Sequence, residues 1–359
     1  MRIAQIAPLF ESVPPRLYGG TERVVSHLTE RLVKLGHDVT LFASGDSLTS
    51  ARLISACPNA LRLNPKSADP LPHHIIQLDQ VIRRSGEFDI LHFHTDYCHL
   101  PISKGLCLPS LTTLHGRLDI PDLQPLYRCF ADAPLVSISK SQRTPLPRAN
   151  WIGNVYHGLP PALYKPRFEG GDYLAFLGRI SPEKRPDRAI EIALQSGMKL
   201  KIAAKIDRVD RDYFESKVKP LLNDPLIEFV GEIGDHEKSD FLGKAYAYLF
   251  PIDWPEPFGL TMIEAMSCGT PTIAFRSGSV PEIITDKVTG LLVDDLQSAI
   301  ACVSRIPEID RRTCRAVFEE RFSVERMTSD YVTLYKRFVG EVDEPELLEY
   351  EPTPPAILQ

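Results

Sequence analysis

The chain has 359 residues, 43% of them hydrophobic and 25% charged, with a formal net charge of -6. That length and mixture fit two globular domains, each with its own core. The mildly acidic balance excludes a protein that works by coating nucleic acid, which needs a basic face, but leaves room for local basic pockets.

Seven cysteines (Cys57, Cys98, Cys107, Cys129, Cys268, Cys302 and Cys314) include no Cys-x-x-Cys pair. They read as reduced thiols of a cytoplasmic protein, not as a disulfide framework or a zinc site. The opening MRIAQIAPLF is too short an apolar run for a secretory signal and reads as a buried first strand. No stretch reaches the roughly 18 apolar residues of a membrane span, so any membrane contact is expected at its surface.

In chain order, strand-like runs are expected at 2–7, 39–43, 90–94, 110–114 and 135–138. Between the first two, a helix is expected over Glu22–Leu35, with Val24, Val25, Leu28, Leu32 and Leu35 on one face. Thr21 is its expected N-cap and Gly36 its stop. A proline- and glycine-bearing stretch, 158–171, reads as a linker. A second series follows, with strands at 174–178, 200–203, 227–230, 247–250, 272–274 and 290–293. Helices are expected between them at 186–195, 238–244 and 260–268, and a last amphipathic helix at 322–339.

This alternation predicts an α/β protein of two Rossmann-like, doubly wound domains. The expected divisions are 1–160, 161–322, a helix at 323–340 and an acidic, proline-rich tail at 341–359, disordered or loosely packed. Ligands of such sheets bind beyond the carboxyl ends of the strands. Motifs at those ends therefore carry the functional reading.

The most informative segment is PEPFGLTMIEAMSCGTPTIAF, 255–275. Glu256 lies in a turn, and Phe258, Gly259 and Leu260 open a helix that contains Glu264. A helix N-terminus with a small residue offers free N–H groups and a positive dipole end to a phosphate. A carboxylate one turn in can accept from two adjacent hydroxyls, as on a ribose. The plain reading is a turn cap and a solvated glutamate, but Glu264 sits between Ile263 and Ala265, where a buried carboxylate needs partners.

In FLGRISPEKRPDRAIEIA, 176–193, Arg179 and Lys184 follow a strand end. Two such cations can grip a diphosphate and stabilise it as it departs; alone, they would be a charged surface loop. In LYGGTERVV, 17–25, Gly19 and Gly20 precede a helix, again a place where backbone approaches an anion, or simply a tight turn. LHFHTDYCH and TTLHG place His94, Asp96, His99 and His115 at or past strand ends. A polar set lining a cleft is favoured there over a metal site, with at least one of His92 and His94 facing a packed layer.

Taken together, these segments resemble the retaining glycosyltransferases of family 4, which have the GT-B fold. The resemblance rests on the Glu-x7-Glu pattern of Glu256 and Glu264 in its PFGLTMIEAMSCGTPTIA frame, GRISPEKR, GSVPEII, GLLVDD and the junction NVYHGL. It extends from Met1 to about Val339, with His157 standing where many relatives have Asn.

The resemblance implies that the N-terminal domain binds the acceptor and the C-terminal domain the sugar nucleotide, with the last helix crossing back. Arg179 and Lys184 would hold the diphosphate. Glu264 would bind the ribose, and Glu256 the transferred sugar beside the N–H groups of Phe258, Gly259 and Leu260. Gly19 and Gly20 would approach the phosphates from the other domain. His115 would lie at the reacting face of the sugar, with His99 as second choice.

The implied reaction retains the anomeric configuration, needs no metal or other cofactor, and uses a UDP-sugar, with UDP-glucose expected and GDP-mannose the rival. Expected partners are that donor and a glycan, lipid-linked or small acceptor, as in polysaccharide biosynthesis, with peripheral membrane contact and no nucleic acid. A glycosyl phosphorylase or sugar-nucleotide epimerase would reuse the same cations, and a non-catalytic module would bind a donor without turning it over. A dinucleotide oxidoreductase is disfavoured because no Gly-x-Gly-x-x-Gly follows the first strand.

Overall fold

A computed structural model describes residues 1–16, 19–62, 64 and 67–340. Leu17 and Tyr18 of the glycine-bearing loop, and the acidic tail at 341–359, lie outside the described residues.

The first sheet contains, in chain order, β1 (Arg2–Ile6), β2 (Asp38–Ala43), β3 (Arg52–Ser55), β4 (Ile90–Phe93), β5 (Ser110–Thr113), β6 (Leu135–Ser137) and β7 (Trp151–Asn154). These lie side by side as β3-β2-β1-β4-β5-β6-β7, and every pairing is parallel. The second sheet contains β8 (Tyr173–Arg179), β9 (Lys199–Lys205), β10 (Ile227–Gly231), β11 (Ala247–Phe250), β12 (Thr272–Phe275) and β13 (Gly290–Val293). Its order is β10-β9-β8-β11-β12-β13, again parallel throughout. In both sheets the strand order reverses beside the first strand, β1 or β8, and a doubly wound sheet binds its ligand at that switch point.

Parallel strands covered on both faces need apolar runs rather than alternation. In β4, Ile90, Leu91, His92 and Phe93 are all buried, so both strand faces are packed and His92 is a core residue. β3 and β7 were not expected. β3 is short and only half-buried, and β7 carries Gly153 against Leu334, which weakens any strand signature.

Three local expectations are corrected. The first helix runs Gly20–Lys34, and its N-cap is Gly19, not Thr21. Gly19 has no side chain with which to cap it. Leu35 lies just past that helix and is 49% exposed, so it is not part of the buried face. The helix expected at 238–244 begins earlier, as Asp235–Gly243, because Glu237 reaches back to the N–H of Gly234.

The stretch 158–171 links the two sheets, and it is packed along its length. Leu159 donates to Phe322 O at 2.9 Å and accepts from Val324 N at 2.9 Å. A Cβ on Gly158 would stand 2.2 Å from Ser323 O, and one on Gly171 would stand 1.6 Å from Lys244 O. Only glycine lets the backbones pass so closely.

The final helix, Val324–Phe338, buries Met327, Tyr331, Leu334 and Tyr335 among Ile3, Leu28 and Val39 of the first domain. The i, i+4, i+7, i+8 spacing makes one apolar stripe. This helix follows the second domain in sequence and packs into the first, tying the two across the cleft.

Candidate active site

Between the two domains lies a cavity of about 610 Å³. Of the eleven residues the resemblance assigns to the site, ten line it: Gly19, Gly20, His115, Arg179, Lys184, Glu256, Phe258, Gly259, Leu260 and Glu264; of the polar set at the strand ends, His94 and Asp96 do not. The walls carry seven cationic side chains and four carboxylates, a local positive excess in an acidic chain that suits an anionic ligand.

Two helix N-termini converge here. The helix Leu260–Ser267 opens at Gly259, whose φ of 84° lies in the left-handed region that favours glycine. The helix Gly20–Lys34 opens opposite it, close enough that a Cβ on Gly20 would meet Leu260 at 3.4 Å. Two positive dipole ends facing one space are suited to an anion approached from both domains at once.

Glu264 is 1% exposed. Its Oε1 accepts from Lys238 Nζ at 2.8 Å and from Tyr164 OH at 3.3 Å, while Oε2 has no partner. A buried carboxylate oxygen without a donor is costly, and Glu264 is one of the residues lining the cavity. The Tyr164 hydroxyl shares its one proton with Asp235 Oδ1, 3.2 Å away, and Asp235 pairs with Arg23 of the first domain. The charge chain that clamps Glu264 thus spans both domains.

Lys184 forms an ion pair with Glu256, and Trp254 Nε1 donates to the same Glu256 Oε2 at 3.0 Å. The Lys184 ammonium also lies over the Phe250 and Trp254 rings, at 5.5 and 5.4 Å. Next to it, Arg185 takes a left-handed conformation, φ 53°, and is held by Asp187 and Asp253. That strained turn sends the two neighbouring cations different ways. Arg179 stands 3.8–4.0 Å from Glu183, Asp207 and Asp210. These separations exceed hydrogen-bond length, so its fork is not locked in place.

The loop bearing Glu256 is held by residues 277–279. Ser279 N donates to Glu256 O at 2.9 Å, Ser279 Oγ to Phe258 O at 2.9 Å and Ser277 Oγ to Trp254 O at 2.7 Å. Gly278 has φ 57°, and a Cβ there would lie 2.4 Å from Glu256 N. Gly278→Ala is therefore expected to cost about 3 kcal/mol or to displace the loop. A lowered Tm together with lost turnover would be the result; wild-type values for both would contradict the packing argument.

His115 lines the cavity, and burial holds it down to about 3, so it stays neutral. His99 is a correction. It is 1% exposed and away from the cavity walls, donating or accepting at Thr112 Oγ1 over 2.7 Å and stacking on Phe93 at 3.9 Å. It packs the strand layer and does not face the ligand space. Among the described residues, no three His, Cys, Asp or Glu side chains are arranged to hold a metal ion, and all seven cysteines are free.

Sequence reasoning missed Lys238, Tyr164, Arg23, Trp254 and Glu22, all brought to the site or its supports by tertiary packing. The need for a partner at Glu264 was legible; its identity was not. Glu22 is 6% exposed on the cavity wall, and burial pushes its carboxyl up to about 7 from 4.5. A raised acid binds more protons folded than unfolded, so its contribution to stability is full below about pH 4.5 and lost as pH rises through 7. Glu22→Gln should then gain about 3 kcal/mol over wild type between pH 4 and pH 8. Paired denaturant melts would check it, and a pH-independent difference would refute it.

A pair of facing Rossmann-like domains, with helix N-termini and cations around the space between them, defines the GT-B class of sugar-nucleotide enzymes. Residues 18–152 match the family model "Glycosyltransferase Family 4", and residues 164–309 match "Glycosyl transferases group 1". The chain is a glycosyltransferase of group 1, similar to family 4 and built on the GT-B fold.

Among curated relatives, an uncharacterised glycosyltransferase of Methanocaldococcus jannaschii is 24% identical over 80% of this chain and 85% of its own. A GDP-mannose-dependent alpha-(1-6)-phosphatidylinositol dimannoside mannosyltransferase of Mycobacterium tuberculosis is 33% identical over 43% of this chain and 41% of its own. Among solved structures, a sucrose-phosphate synthase of Thermosynechococcus elongatus shares the fold with TM-score 0.78, at 19% identity, over 95% of this chain and all of that one. An Anabaena protein in complex with UDP-glucose shares it with TM-score 0.71, at 16% identity, over 94% of this chain and all of that one. No helix among the described residues is long and apolar enough to cross a membrane.

Proposed function

We propose that the protein transfers a hexose, glucose in the first instance, from a UDP-sugar to a hydroxyl acceptor with retention of the anomeric configuration and without a metal ion. The observation that carries this reading is the single cavity in which Arg179 and Lys184 face two helix N-termini while Glu264 keeps one buried oxygen unpaired. The diphosphate lies between the cations and the N–H groups of Leu260 and Gly20. The two ribose hydroxyls donate to Glu264. The sugar lies between Glu256 and His115. As the bond to the anomeric carbon breaks, charge builds on the diphosphate, and the fixed cations and dipoles meet it there. The acceptor hydroxyl attacks from the same face, and its proton passes to the departing phosphate oxygen.

The Anabaena neighbour's complex with UDP-glucose supports the donor choice. A GDP-mannose donor is the second reading, supported by the mycobacterial mannosyltransferase, which matches less than half of the chain. On the acceptor side, a polar cavity of about 250 Å³ lined by Glu11, Ser12, Asp46 and Asn59 supports a hydroxyl-rich acceptor. Leu71, Ile75 and Ile76 stand exposed on the helix Leu71–Arg83 and support contact with a membrane surface bearing a lipid-linked acceptor.

Titration with a panel of UDP- and GDP-sugars, followed by assays for release of the nucleoside diphosphate, tests the donor. UDP-glucose should bind and be consumed. Preference for GDP-mannose would move the donor to the second reading, and failure of every nucleoside diphosphate to bind would end both. The anomeric configuration of the product, read by NMR, tests retention.

A further inference from the structure

Behind His115 a continuous hydrogen-bond chain runs through the core of the first domain. His115 Nε2 meets His94 Nδ1 at 2.8 Å, and His94 Nε2 meets Gln5 Oε1 at 2.8 Å. Gln5 Nε2 donates to Tyr335 OH at 3.0 Å, and Tyr335 OH meets His92 Nδ1 at 2.7 Å. His92 Nε2 reaches Thr113 Oγ1 at 2.7 Å, which meets Tyr331 OH at 2.9 Å. Gln5, His92, His94, Tyr331 and Tyr335 are at most 1% exposed. Tyr331 and Tyr335 belong to the final helix, Val324–Phe338.

The orientation of the Gln5 amide sets the direction of the chain. The Gln5 amide oxygen can only accept, so His94 must carry its proton on Nε2. A neutral His94 then accepts at Nδ1, and His115 must donate from Nε2. That leaves His115 Nδ1 as a bare lone pair, and Nδ1 has no partner in the protein. Turning the Gln5 amide over would reverse every proton and leave His115 with a buried N–H facing no acceptor. Orphaned N–H groups are rarer than orphaned acceptors, which favours the first direction.

We infer that Gln5, acting through His94, is a positioning residue that fixes His115 as the Nε2–H tautomer, so that its Nδ1 takes a hydrogen bond from a hydroxyl of the transferred sugar. The inference rests on the glycosyl-transfer reading of the cavity, but its first test does not. The final helix enters the same chain through the hydroxyl of Tyr335, so an element from the far end of the sequence backs the sugar site.

Nitrogen-15 NMR of histidine-labelled protein without donor reads each tautomer directly. His115 is expected to carry its proton on Nε2 only, and a proton on Nδ1 overturns the inference. Gln5→Leu cuts the chain at its one fixed acceptor. His115 should then sample both tautomers, kcat for transfer should fall about tenfold through loss of sugar orientation, and the Kd for UDP should stay at the wild-type value. An unchanged His115 spectrum and unchanged kcat in that variant would also overturn it. Should Gln5→Leu fail to fold, the wild-type spectrum alone still decides. A wild type that consumes no sugar nucleotide yet shows the Nε2–H tautomer would sink the transfer reading and leave the tautomer assignment standing.

Discussion

Replacing Lys184 with alanine is expected to lower transfer by about 10²–10³-fold, the usual cost of removing one fixed group that stabilises developing charge. UDP should bind about tenfold more weakly, because the proposed charge-assisted contact to the diphosphate is lost. Two features make Lys184 the more sensitive of the two cations. Its side chain is 19% exposed against 32% for Arg179, so its charge is screened less by water. It is also already held, by Glu256 and by the rings of Phe250 and Trp254, so little side-chain ordering is left to do on binding. Lys184→Arg should not restore the rate, since a planar fork cannot take the place of a compact ammonium packed between two rings. Calorimetry with UDP and a turnover assay measure both effects. Wild-type values in each would remove Lys184 from the site.

Glu256→Gln should separate binding from chemistry in the opposite sense. Transfer should fall by about 10²–10³-fold, because in the proposed arrangement the group facing the sugar loses the charge that answers an electron-poor anomeric carbon. UDP, however, should bind as tightly as before or more tightly. In the free protein Lys184 is paired with Glu256, and a diphosphate must share or break that pair. The neutral amide keeps the shape of the side chain and can still lie beside Trp254 Nε1, which donates to Glu256 at 3.0 Å, while releasing the ammonium for the ligand. A parallel loss of UDP affinity and turnover would instead mean that the Lys184–Glu256 pair is needed to hold the loop. Gly278→Ala, which presses on the Glu256 backbone, supplies the matching structural control.

The two carboxylates of the Glu-x7-Glu segment illustrate what a sequence conveys and what it does not. Glu264 stood out because a carboxylate among Ile263, Ala265 and Met266 has no ready solvent. Its clamp, Lys238 and Tyr164, comes from positions 26 and 100 residues away, and nothing in a local window ties them to it. His99 failed for the complementary reason. A histidine just past a strand end looks the same in sequence whether it turns to the cavity, as His115 does, or into the strand layer against Phe93 and Thr112. The linker at 158–171 was legible as a connection, but its close backbone contacts were not, because glycine serves flexible linkers and tight contacts alike and only packing distinguishes them.

The order of strands and helices, the two-domain division and the cations, glycines and glutamates of the site were written in local patterns, because hydrophobic period, turn chemistry and motif spacing are properties of neighbouring residues. The tertiary structure decided which of those residues share a space. It set Gly20 against Leu260 across the cleft, paired Lys184 with Glu256, and ran Tyr335 of the last helix into a chain of protons behind His115. Such contacts join segments up to 330 residues apart. They depend on how two sheets face each other, and that relation is settled by the packing of the whole chain.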